Sequence, residues 1–149
     1  VGQLPRFESS LVPLLEARVG RIDGVVAERG FGGDPIFGVP AAGGSLFVIK
    51  GAVANVGNVP SAGIRIQATL LGKDNEALAE KTAFAGNLLD NASLGRMDRP
   101  AIEGAMSNRF GAGNENREIP PGKALPFMVL FFNPPLEIDA VMVKAIDAR

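Results

Sequence analysis

The chain has 149 residues, one domain's length. Its 15 Lys and Arg against 16 Asp and Glu leave a net charge of −1, which argues against a nucleic-acid binder that must neutralise phosphates. Cys, His, Trp and Tyr are all absent, which excludes disulfides, Cys/His zinc sites and Ser–His or Cys–His nucleophile pairs.

Residues 1–44 predict an N-terminal helix and a Gly-rich linker. Ser9 or Ser10 can cap a helix, with Pro13 tolerated in its first turn. Leu11, Leu14, Leu15, Val19 and Ile22 recur at helical spacing, and Arg18 and Arg21 suit the helix's C-terminal dipole. Gly30 to Gly44 reads as loop, and Gly24–Glu28 is compatible with an extra strand. Glycines at 30, 32 and 33 raise the idea of a phosphate cradle. Asp34-Pro35 follows them, where a nucleotide loop needs a helix start with free N–H groups, so plain loop is the better reading.

From Ser45 the pattern becomes β, and residues 45–149 predict a sandwich domain. Leu46–Val56 is rich in Val, Ile and Phe, interrupted by Gly51, which signals a bulge or a close approach. Asn55 stands where its side chain can satisfy a turn amide. Ile64, Ile66, Ala68 and Leu70 alternate with Arg65, Gln67 and Thr69, a strand with one buried face. Gly72–Asn75 supplies turn chemistry, and Ala77–Asn87 returns as the hairpin partner, stopped by Gly86-Asn87.

Residues 88–120 break the rhythm. Asp98 can cap a crossover helix over 99–109 with Pro100 near its start, and Ile102, Met106 and Phe110 would share one face. Gly111–Gly122 reads as loop with Asn114, Glu115 and Asn116 at its polar tip, and Arg117–Pro120 could add a short strand. Leu125–Phe132 and Ile138–Ile146 follow as strands, separated by Asn133-Pro134-Pro135. Phe127, Val129 and Phe131 fall on one face of their strand and Met128, Leu130 and Phe132 on the other, so this reads as a central strand between a second sheet and a helix. Pro126 sits at its start, where a missing donor is cheap. Hairpin-linked strands without βαβ alternation predict a mainly β protein, an antiparallel sandwich with a short crossover helix and an N-terminal helical segment.

Chemistry-bearing patterns are thin. Asp90-Asn91 and Asn114–Asn116 lack the spacing of a calcium loop. Ser-x-x-Lys does not occur, and scattered carboxylates do not by themselves define a glycosidase pair. The reading is therefore not an enzyme, with no catalytic, cofactor or metal residues. Arg96, Arg99 and Arg109 cluster around the crossover helix, either as a solvated face paired to Asp98 and Glu103 or as a contact site for an acidic partner or lipid headgroup.

Four stretches carry a resemblance. They are Leu46–Asn55 with its turn, Ile64–Leu71 leading into Gly72–Glu76, Phe84–Leu88, and Pro120–Val129. They resemble a bacterial domain of unknown function that follows an N-terminal zinc ribbon and a single transmembrane helix. The resemblance implies an immunoglobulin-like sandwich on the extracytoplasmic, periplasmic side of a bacterial inner membrane, tethered by a helix outside this sequence. The family's zinc ligands have no counterpart here, and it has no catalytic residues to carry over. The expected function is a non-catalytic binding or structural module acting through protein contacts, without cofactor, with membrane contact only through the absent segment. A homodimer through the N-terminal stripe or a strand edge fits the pattern. The alternative is a small apolar ligand or lipid site lined by Met97, Ile102, Met106 and Phe110. A start at Val1 rather than Met marks the chain as a processed or excised piece. No signal-peptide pattern occurs near it, and no apolar run approaches the ~20 residues that span a bilayer.

Overall fold

The computed structural model describes residues 6–7, 21–31, 45–135 and 137–147. Seven strands and two short helices follow in order: β1 (Arg6–Phe7), β2 (Arg21–Phe31), β3 (Ser45–Ala54), β4 (Arg65–Leu71), β5 (Ala77–Phe84), α1 (Asn91–Arg96), α2 (Arg99–Ala105), β6 (Ala124–Phe132) and β7 (Ala140–Asp147). One sheet has the order β1-β2-β3-β6 and the other β5-β4-β7, and every pairing is antiparallel.

The two sheets share one core. Ile22, Phe47, Ile49, Phe127 and Val129 from the first meet Ile66, Ala68, Leu70, Val141 and Val143 from the second, all essentially without solvent exposure. The alternation of Ile64, Ile66, Ala68 and Leu70 is thus the inner face of β4, as its period of two predicts. The other face of the first sheet is also covered. Leu46 and Val48 of β3 and Met128 and Leu130 of β6 pack against Leu94 of α1 and Ile102 of α2. Both faces of β6 are therefore greasy because a sheet lies on one and helices on the other. Yet β6 is not central among the described strands: it pairs with β3 alone, and β2 and β3 are the interior strands of that sheet. Its outer edge is closed at the start by the Gly86 N–H, which donates to the Pro126 carbonyl at 2.9 Å. In extended backbone a residue's N–H and C=O point the same way, so Pro126 lacks its donor on the side away from β3 and no ladder bond is lost.

Several expectations need correction. The expected N-terminal helix fails at Arg21 and Ile22, because both residues open β2 and pair with Ala54 and Val53. The rest of the expected N-terminal helix lies outside the described residues. β2 also moves the start of the sheet ahead of Ser45, and Gly30 and Phe31 belong to it rather than to the loop. The extra strand left open at Gly24–Glu28 is present as part of β2, its period broken by a bulge: Asp23 faces Ala52 and Val26 faces Lys50, with Gly24 at φ +63° taking up the extra residue. Buried positions then fall at 22, 25 and 27, which no longer alternate. The crossover is two helices, not one over 99–109. Asp90 caps α1 by accepting the Ser93 N–H at 2.7 Å, and Asp98 caps α2 by accepting the Ala101 N–H at 3.0 Å. α2 ends at Ala105, so Phe110 does not share its face.

Asparagines tie the loops to the sandwich. Asn55 is buried; its Oδ1 accepts the Gly57 N–H at 2.9 Å, and its Nδ2 donates to the Val59 and Ile119 carbonyls at 2.9 and 2.8 Å. Asn116 is not a solvated loop tip: it has no exposed surface. Its Oδ1 accepts the Ile64 N–H at 2.9 Å, and its Nδ2 donates to the carbonyls of Ile64 and Ala85 at 3.0 and 3.1 Å. A buried amide that finds all these partners costs little to bury and fixes the loop's path. The left-handed turn expected at Gly72–Asn75 is present, with Asp74 at φ +56° and Asn75 at φ +60°.

Candidate functional site

β5 passes close to β6 where the two sheets meet, and α2 overhangs that seam. A cavity of about 300 Å³ opens between them. Ile102 and Met106 of the α2 region, Leu130 and Phe132 of β6, and Ala83 and Phe84 of β5 form its apolar walls. Lys81, Arg65, Glu103, Thr82 and Ser107 supply its polar atoms. Such a mostly apolar hollow with a few polar groups is the usual form of a small-molecule site, here at the small end of the range.

Each wall has a local cause. Asp98 and Pro100 start α2 in register, and Ile102 plants it on the first sheet with no exposed surface. At the other end, the fully buried Asn87 donates through Nδ2 to the carbonyls of Met106 and Asn108 at 3.0 and 2.8 Å, which anchors the chain as it leaves the helix. On β5, Ala79, Lys81 and Ala83 stand opposite Leu70, Ala68 and Ile66, the core-facing residues of β4. Lys81 therefore occupies a position whose neighbours on the same face are alanines. Its stem runs along the apolar seam and its ammonium reaches the cavity.

The electrostatics centre on one ring. Lys81 Nζ lies 5.6 Å from the centroid of Phe132, and the Arg99 guanidinium carbon lies 4.7 Å from it. Arg99 is engaged: its Nε donates to Glu103 at 3.0 Å, one turn on. Among the described residues, Lys81 has no carboxylate within 4.0 Å. Burial holds its pKa below the ordinary lysine value; Arg99 pushes the same way and Glu103 opposes.

Of the three arginines singled out from sequence, none lines this cavity, but Arg99 lies over Phe132 and pairs with Glu103, both of which do. Arg109 stacks on Phe110, which Arg117 also contacts, each at 5.5 Å. Arg96 is exposed in the last turn of α1, near Asp90. The three thus have different neighbours. Ile102 and Met106 line the cavity as expected; Met97 and Phe110 are not among its walls. Lys81 escaped the sequence reading, though a lysine between Ala79 and Ala83 on a buried strand face was a legible signal.

Elsewhere, Asp90 is committed to its cap, and the Ser93 N–H and hydroxyl lower its carboxyl pKa. Among the described residues no three carboxylates gather closely enough to hold a metal ion, and no helix is long and apolar enough to cross a membrane. In comparisons with protein-family models, curated proteins and solved structures, the chain matches none.

Proposed function

We propose that this chain is a non-catalytic binding module that works through the cleft between β5, α2 and β6. The cavity itself carries the reading: an apolar hollow of about 300 Å³ with the half-buried Lys81 at its side, next to Arg65 and Glu103. A second part of the proposal concerns setting. The domain is an immunoglobulin-like sandwich held on the extracytoplasmic face of a bacterial membrane by a tether outside this sequence. The strand orders β2-β3-β6 and β5-β4-β7 support the sandwich type, since the chain changes sheet after β3, β5 and β6. The sequence resemblance supports the tether and the location. NMR titration of the labelled protein with small apolar compounds tests the binding reading. Saturable shifts should gather at Ala83, Ile102, Leu130 and Phe132; if no compound moves them, the cleft is not a binding surface.

A second reading, contact with a protein partner, draws on β7. Among the described strands it pairs only with β4, which leaves one edge open to strand addition. Self-pairing is its simplest form, and sedimentation at rising concentration that finds only monomer removes that form.

A further inference from the structure

The chemistry of the cleft selects among ligands, and the argument rests on the reading of the cleft as a binding surface. At roughly 30 Å³ per non-hydrogen atom, as in liquid water, a cavity of this size holds about ten such atoms. A whole two-chain lipid or folded peptide is larger than that. The walls from Ile102, Met106, Leu130, Phe84 and Phe132 favour an apolar body. The charges favour an anionic end. Glu103 is already held by Arg99, while Lys81 rests against the Phe132 ring and, among the described residues, makes no ion pair. A ligand cation would face Lys81 and Arg65, the two cationic side chains on the lining. A neutral apolar molecule would bury Lys81 further without giving it a partner, which is costly. A phosphate dianion would set its second negative charge against Glu103, which also lines the cleft.

We propose that the cleft binds a small monocarboxylate with an apolar body, its carboxylate on the Lys81 ammonium and its body along Ile102, Met106, Leu130 and Phe132. The ion pair forms at the cavity's polar side, where partial burial strengthens it relative to open water. Both partners gain: the lysine finds a counter-charge and the apolar body leaves solvent.

The test is an NMR titration at neutral pH with three probes of equal length, octanoate, octanol and octylammonium. It is run on the native chain, on Lys81→Met and on Lys144→Met, a control on the exposed side of β7. Lys81→Gln is the second variant should Lys81→Met lose its fold. Octanoate should give saturable shifts at Ala83, Ile102, Leu130 and Phe132 and bind about tenfold more tightly than octanol. Removing the Lys81 charge should abolish that preference and leave octanol unchanged, and Lys144→Met should alter nothing. Octanol or octylammonium binding as tightly as octanoate, or an undiminished preference in Lys81→Met, overturns the carboxylate assignment while the cleft remains a binding surface. Failure of all three probes to move those resonances, or octanoate shifts that are dispersed and never saturate, overturns both.

Discussion

Gly51→Ala is the sharpest test of how the sandwich is packed. Gly51 lies in β3 directly opposite Phe127 of β6, facing the shared core. A Cβ built there would stand 2.7 Å from Phe127 Cζ, 3.0 Å from Cε2 and 3.2 Å from the Asp23 carbonyl oxygen of β2. The ring is fully buried, so it cannot swing into solvent. Overpacking of this kind costs about 1–3 kcal/mol. Alanine also restricts the unfolded chain more than glycine, which returns about 0.5–1 kcal/mol. The net expectation is a loss of about 1–2 kcal/mol, read as a Tm lower by about 2–8 °C. Urea unfolding of the single variant, of Phe127→Leu and of the double variant separates the terms. Shortening the ring to leucine removes the atoms in the clash, so Gly51→Ala should become neutral or mildly stabilising in that background. An equal cost in both backgrounds, or a stabilised single variant, refutes the reasoning.

Three further outcomes are expected. Asn55→Ala strips partners from the Gly57 N–H and from the Val59 and Ile119 carbonyls, and should cost about 1–3 kcal/mol in urea melts. Lys81→Met should change the pH dependence of stability: the folded value lies below the ordinary lysine value of 10.5, so between the two the unfolded chain keeps a proton that the folded one has released, and stability rises with pH. That rise should be smaller in the variant, and an identical rise in both proteins refutes the burial account. Asp98→Ala removes the cap of α2 and should cost about 1 kcal/mol, with faster amide exchange at Ala101; unchanged exchange there would deny the cap its role.

Sequence reasoning served best where one force dominates. The inner face of β4 shows in the alternation of Ile64, Ile66, Ala68 and Leu70, because only solvent on one side and core on the other produces that pattern. The two covers of β6 were visible for the same reason, and Gly51 and Asn55 announced a close approach and a turn contact that the structure contains. Failures arose where a local irregularity or a distant partner decides. The bulge at Gly24 broke the period of β2, and its pairing with β3 overrode the helical spacing that ends at Ile22. Six residues are too few for α1 to show a periodic face. Asn116 looked like loop surface because its partners, Ile64 and Ala85, lie far away along the chain. The cleft was half legible: Ile102 and Met106 could be placed together, whereas the seam of β5 and β6 that supplies Lys81 and Phe132 exists only after folding.

Asn116 has one more consequence. Its backbone N–H donates to Phe110 and its carbonyl accepts from Gly63, while its side chain grips Ile64 and Ala85. A single amide thus latches the segment trailing α2 to the rims of two strands. That segment cannot peel away and leave the sheets intact without stranding several buried polar groups at once. Opening of the latch is consequently tied to fraying of β4 at its start and of β5 at its end, so the segment behind the cleft shares the protection of those two strand ends.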